Sequence, residues 1–152
     1  MLDGDYDDVL DTAHRLALGW LDELPERPVG AVATASDIHA LINRSMPEDP
    51  TDPTAVLEEL ADAISPGLAA TGSGRYFGYV NGGTLPAGLG ADWLVSAWDQ
   101  NTLFAEPYPG AAAFEEVAGR WVRELLSLPA AAAVGFVTGA QMANTTDRKS
   151  VV

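Results

Sequence analysis

Apolar residues recur at steps of three and four from Tyr6 through Val9, Leu10, Ala13, Leu16, Ala17, Trp20 and Leu21 to Leu24, which lays them along one face of a helix. Asp5, Asp7 and Asp8 stand near its start, where the helix dipole favours negative charge, and Pro25 and Pro28 end it. Residues 29–52 lose the period and read mostly as loop, with a short helix over Ser36 to Asn43 and turn-forming prolines at 47, 50 and 53. Asp52 then caps a second long helix, Pro53 takes its first position, and Val56, Leu57, Leu60, Ala61 and Ile64 form its stripe before Pro66-Gly67.

The rest of the chain is patterned differently. Arg75 to Thr84 begins with aromatics that suit an extended strand and continues with glycines that permit an irregular loop. Such a segment is either a ligand wall or a turn that packs its rings into a core. The next helix, about Leu85 to Asn101, carries apolar residues around most of its circumference. In a chain this short, that breadth predicts burial against another subunit or another domain. A further helix presents Phe114, Val117, Ala118, Trp121, Val122 and Leu125 on one face, with Glu116 and Arg120 expected to pair on another, and Pro129 closes it. Ala132 to Thr138 reads as a short buried strand that turns at Gly139 into a helix start. Unpaired N–H groups and the positive end of the dipole make such a start a seat for phosphate. A turn kept only for packing fits the same residues, and the spacing matches neither the dinucleotide nor the P-loop glycine motif.

Composition narrows the function. Twenty-two acidic and eight basic side chains give a net charge of −14, which repels phosphate backbones and anionic lipid and argues against a nucleic-acid partner. Residues 1–64 hold 15 of those acids against Arg15, Arg27 and Arg44, a local −12 that reads as a solvated face. No cysteine is present, so thiolate chemistry is absent and a cytoplasmic setting is expected. No apolar run approaches the ~20 residues of a membrane helix.

Several strings taken together resemble a known family. Tyr76-Phe77-Gly78-Tyr79-Val80-Asn81-Gly82-Gly83-Thr84-Leu85-Pro86-Ala87, Ala91-Asp92-Trp93-Leu94, Trp98-Asp99-Gln100-Asn101, Glu115-Glu116-Val117-Ala118 and Gly135-Phe136-Val137-Thr138-Gly139-Ala140-Gln141-Met142-Ala143-Asn144 stand in this order. Their order and spacing are similar to those of the pyridoxal-dependent decarboxylases of the aromatic-amino-acid and glutamate decarboxylase group. The resemblance spans about Asp5 to Thr146.

It implies a mostly α piece of a larger homodimeric enzyme: an N-terminal helical, dimer-forming segment over 1–130, then the first strand and helix start (131–146) of a fold-type-I pyridoxal-phosphate-dependent α/β domain. It implies pyridoxal 5′-phosphate as cofactor, with backbone N–H groups of Ala140, Gln141 and Met142 on its phosphate, and Tyr79, Asn81 and Gly82 on the wall that faces an amino-acid substrate. Gln141 and Met142 stand where relatives often carry hydroxyl residues, and Gly82 where aromatic-amino-acid decarboxylases carry one, which opens the wall to a smaller or different substrate. Glu106-Pro107-Tyr108-Pro109 also departs from the small turn usual in the family.

The lysine that holds the cofactor as a Schiff base, the stacking histidine and the acid on the pyridine nitrogen are all expected downstream, so no catalytic residue is assigned and the chain is expected to be inactive alone. His14 and His39 read as surface or packing residues. The single lysine, Lys149, sits in a charged string, 147–152, that follows a neutral stretch and resembles the translation of a sequencing-adapter read; it is expected to be non-native. Two alternatives stay open: a free-standing helical interaction module, and an aminotransferase relative of the same fold.

Overall fold

In the computed structural model, which describes residues 6–149, helix follows helix: α1 (Tyr6–Glu23), α2 (Ala35–Ile42), α3 (Pro53–Ile64), α4 (Pro86–Trp98), α5 (Pro109–Leu125) and α6 (Ala140–Lys149), with a 3₁₀ turn at Ser65–Gly67 after α3. The chain divides into two units, 1–88 and 89–152, whose boundary falls inside α4.

In the first unit α1 packs on α3, and α2 packs on α3 and on the 3₁₀ turn. Part of the stripe read from the sequence, Val9, Ala13, Leu16, Ala17 and Trp20, is the half-buried face of α1, while Tyr6, Leu10 and Leu21 of the same stripe are exposed. The connector is better ordered than its composition predicts. Thr34 caps α2 in a reciprocal box: its hydroxyl oxygen accepts from the Asp37 N–H at 3.3 Å while the Asp37 carboxylate accepts from the Thr34 N–H at 2.9 Å. Asp52 caps α3 as expected, accepting from the Ala55 N–H at 2.9 Å and from the Thr54 hydroxyl. Both carboxyls are held below the usual carboxylate range, Asp37 first by the Thr34 hydroxyl and then its N–H, Asp52 first by the Thr54 hydroxyl and then the Ala55 N–H. Gly67 lets α2 approach, since a Cβ there would stand 2.8 Å from Ile38 Cγ1.

The second unit is built on α5 and the segment that returns along it. Gly119, buried in α5, lies under Val134 and Phe136, and Arg123 donates to the Ala132 carbonyl at 3.2 Å. Arg120 turns toward Glu124 at 3.9 Å, not toward Glu116 as the spacing predicts. Both arrangements place a carboxylate one turn away on an exposed face, so the pattern alone does not choose between them.

Two strand predictions are overturned. No strand occurs among the described residues: 75 and 78–80 lie in turns or bends, and 76–77 and 132–137 run without regular structure. A strand exists only by hydrogen bonds to another strand, and no described segment offers that edge. The α/β character expected for 131–146 is therefore present only as its helix, α6, which continues through Asp147, Arg148 and Lys149. The expected contribution of Asp5 to the start of α1, and tail residues Ser150, Val151 and Val152, lie outside the described residues.

Burial is thin. Ala70 is the one buried apolar residue among those described, and Leu94, Val95, Trp98, Phe114, Trp121 and Leu125 are all exposed. The accessible surface is 12718 Å², whereas two separate compact bodies of these sizes would expose only about 9,000 Å². Among the described residues, no helix is long and apolar enough to cross a membrane.

Candidate functional site

Residues 76–82 follow a seam of hydrogen bonds within the first unit. The Val32 and Ala33 N–H groups donate to the Pro66 carbonyl at 2.9 and 3.0 Å, and the Ala70 N–H donates to Val29 at 3.0 Å. Leu24, at the end of α1, reaches so close to Gly72 that a Cβ there would lie 3.3 Å from its Cδ1. Arg27 is the hub. Its guanidinium lies 4.3 Å over the Trp20 ring, pairs with Glu23, and donates to Ser65 Oγ at 2.7 Å and to the Ser65 carbonyl at 3.3 Å. Arg75 Nη2 donates to the Arg27 carbonyl at 2.6 Å, its N–H donates to the buried Ser73 hydroxyl oxygen at 3.2 Å, and the Tyr76 N–H donates to Ser73 at 3.0 Å. Sequence reasoning missed this hub. The available signal was an isolated arginine seven positions after a helix tryptophan, in a region otherwise almost devoid of positive charge.

Past Tyr76 the chain makes a tight turn in which the Asn81 N–H donates to the Gly78 carbonyl at 3.2 Å, with positive φ at both central residues, Tyr79 (55°) and Val80 (59°). Left-handed backbone at a β-branched residue is an outlier that costs roughly 1–3 kcal/mol. Tyr79 is 92% exposed and Asn81 and Gly82 are exposed as well. A Cβ on Gly82 would meet nothing within 4 Å, so no described neighbour demands glycine there.

Ala140, Gln141 and Met142, in the second unit, form the first turn of α6. The Ala143 N–H donates to the Gly139 carbonyl at 3.0 Å, which makes Gly139 the residue before the helix and leaves the three preceding N–H groups ahead of the first intrahelical bond. Gly139 has φ 148°, a value L side chains rarely adopt, and has open space where a Cβ would stand. All three residues are exposed. The Thr145 and Thr146 hydroxyls donate to the Gln141 and Met142 carbonyls, each at 2.9 Å, and so are turned away from the helix start. No charged side chain occurs from Ala130 to Thr146, so nothing nearby in sequence repels an anion.

These features fit the phosphate of a cofactor. Lys149 lies on α6 itself, about 13 Å along its axis from Ala140. His14 and His39 lie exposed on α1 and α2 of the first unit. No group of residues suited to a metal ion occurs among those described.

Residues 36–151 match the pyridoxal-dependent decarboxylase conserved domain, and the chain belongs to that family. It is 24% identical over 131 residues to an aromatic-L-amino-acid decarboxylase of Bacillus atrophaeus, an alignment that covers 86% of this chain and 27% of the relative. The chain thus spans about a quarter of that relative's length. No solved structure matches it.

Proposed function

We propose that these residues serve an enzyme that removes the α-carboxylate of an L-amino acid as carbon dioxide, leaving an amine. Family membership over residues 36–151 carries the reading. Pyridoxal phosphate, when bound, supplies the electron sink for the bond that breaks. The N–H groups of Ala140, Gln141 and Met142 hold its phosphate at the positive end of α6, and Gly139 lets the chain enter that turn. The hydroxyls of Thr145 and Thr146 are committed to carbonyls, so the grip in this reading falls chiefly to backbone N–H groups. Tyr79, Asn81 and Gly82 form the part of the substrate wall that this chain contributes, and Gly82, standing where aromatic-amino-acid decarboxylases carry a hydroxyl residue, offers a substrate no side-chain hydrogen bond there.

In this reading the large domain is of fold type I and the enzyme is a homodimer in the cytoplasm. The surplus of about 3,700 Å² of exposed surface over two compact bodies exceeds what one side of an ordinary interface buries, which supports cover by a second copy and by further domain. The 152 residues alone are inactive, because their single lysine is carried away from the phosphate seat by the axis of α6.

Titrating pyridoxal phosphate into the chain while following amide exchange tests the seat. Slowed exchange over 139–143 without amine release is expected; unchanged exchange there, or robust turnover by these residues alone, overturns it. Reading the genomic frame past Thr146 tests the enzyme: a later His-Lys pair on a cofactor loop supports it, and a frame closing at Val152 opposes it.

A further inference from the structure

We propose that Arg75 is a positioning residue for the substrate wall, and that Arg27 and Arg75 together form a latch fixing where residues 76–82 leave the helical unit. The inference rests on the reading of those residues as part of a substrate site, but the latch itself is a matter of bonds within the first unit.

A loop that offers Tyr79 and Asn81 to a substrate must start from a fixed point, because its own turn is poorly placed to supply one. Val80 and Tyr79 have left-handed backbone and almost full exposure, so the described neighbours give that conformation little support. The order comes from just before it. Ser73 is one of the few buried side chains, and it receives the Arg75 N–H while its carbonyl receives that of Tyr76. The Arg75 side chain then reaches back to the Arg27 carbonyl, across 48 residues of sequence. Arg27 is immobilised in turn by three kinds of partner: the Trp20 face, the Glu23 carboxylate and both oxygens of Ser65. One chain of contacts therefore runs from α1 and the 3₁₀ turn to the residue before the wall. Arg27 suits the hub because a guanidinium can stack on a ring and donate in several directions at once, which an ammonium cannot. Arg75 uses a single N–H on a carbonyl, a task a lysine can also perform.

That difference provides the test. Amide exchange by mass spectrometry is measured on the 152-residue chain as wild type, Arg75→Met, Arg75→Lys and Arg27→Lys. Arg75→Met is expected to speed exchange over residues 73–82 by about fivefold, the equivalent of one ordinary hydrogen bond, with exchange in α1 and α3 unchanged. Arg75→Lys is expected to restore most of the protection. Arg27→Lys is expected to loosen both the 65–70 segment and the wall, since one ammonium cannot replace the fork. Two results overturn the latch: exchange over 73–82 that ignores Arg75→Met, or a rise spread evenly over the whole first unit and not rescued by lysine. A latch that passes while pyridoxal phosphate leaves residues 139–143 unprotected would instead count against the decarboxylase reading, so the two failures are told apart.

Discussion

The two units answer the same demand, shelter for apolar side chains, in opposite ways. The first buries half of each stripe internally, α1 against α3, and ties its connector down with two side-chain caps and the Arg27 hub. The second leaves Trp98, Phe114, Trp121 and Leu125 in the open and secures α5 mainly by the close passage of Val134 over Gly119. An amphipathic helix whose partner lies within the same unit can half-bury its stripe against it. One whose partner lies elsewhere displays the same kind of stripe and remains uncovered.

Substitutions can break or sharpen that contrast. The largest effect is expected from Leu16→Asp, which puts a carboxylate into the α1–α3 seam and should destabilise the first unit by about 3 kcal/mol; circular dichroism with urea would show it, while Phe114→Asp, on the open face of α5, should leave the chain's own stability nearly untouched. Next, Gly139→Ala forces a side chain onto a backbone with φ 148° and should weaken pyridoxal-phosphate binding about tenfold in a fluorescence titration, with the melt of the first unit unmoved. Gly119→Ala is expected to stabilise the second unit by about 0.5–1 kcal/mol, because a Cβ there makes ordinary contact with Val134 at 3.5 Å and alanine favours helix; Gly119→Leu should instead lift the return segment, read as faster exchange over 132–136. The smallest effect concerns the caps. Asp37 and Asp52 titrate below their unfolded values, so their contribution is complete above about pH 4 and is lost as pH falls through the lower folded values. Asp52→Asn, which keeps the cap without the charge, should flatten that acid limb in a pH-dependent melt.

Legibility followed the same division. Asp52-Pro53, the α1 stripe and the glycine before α6 could all be read because each depends on residues adjacent in sequence or one turn away. The strands expected at 75–80 and 132–138 could not be judged, since aromatic and β-branched residues announce a preference for sheet but not the edge that satisfies it. Tyr79 and Val80 carry no sign of left-handed backbone, which sequence reading assigns to glycine or asparagine. For the candidate site, the glycine turn announced the helix start, and family resemblance supplied the expected roles of Ala140, Gln141, Met142, Tyr79, Asn81 and Gly82. The hub of Arg27 was invisible because its partners, Trp20, Ser65 and Arg75, meet only after α1 and α3 have packed.

The seam around Arg27 also has a bearing on synthesis. Every group it uses, from Trp20 to Tyr76, has been translated before α4 begins, so the first unit can close while the ribosome is still adding the residues of α5. The nascent chain would then present an acidic, already folded head to chaperones. The helices that follow, with Trp98, Phe114, Trp121 and Leu125 exposed, are the part such chaperones would shield.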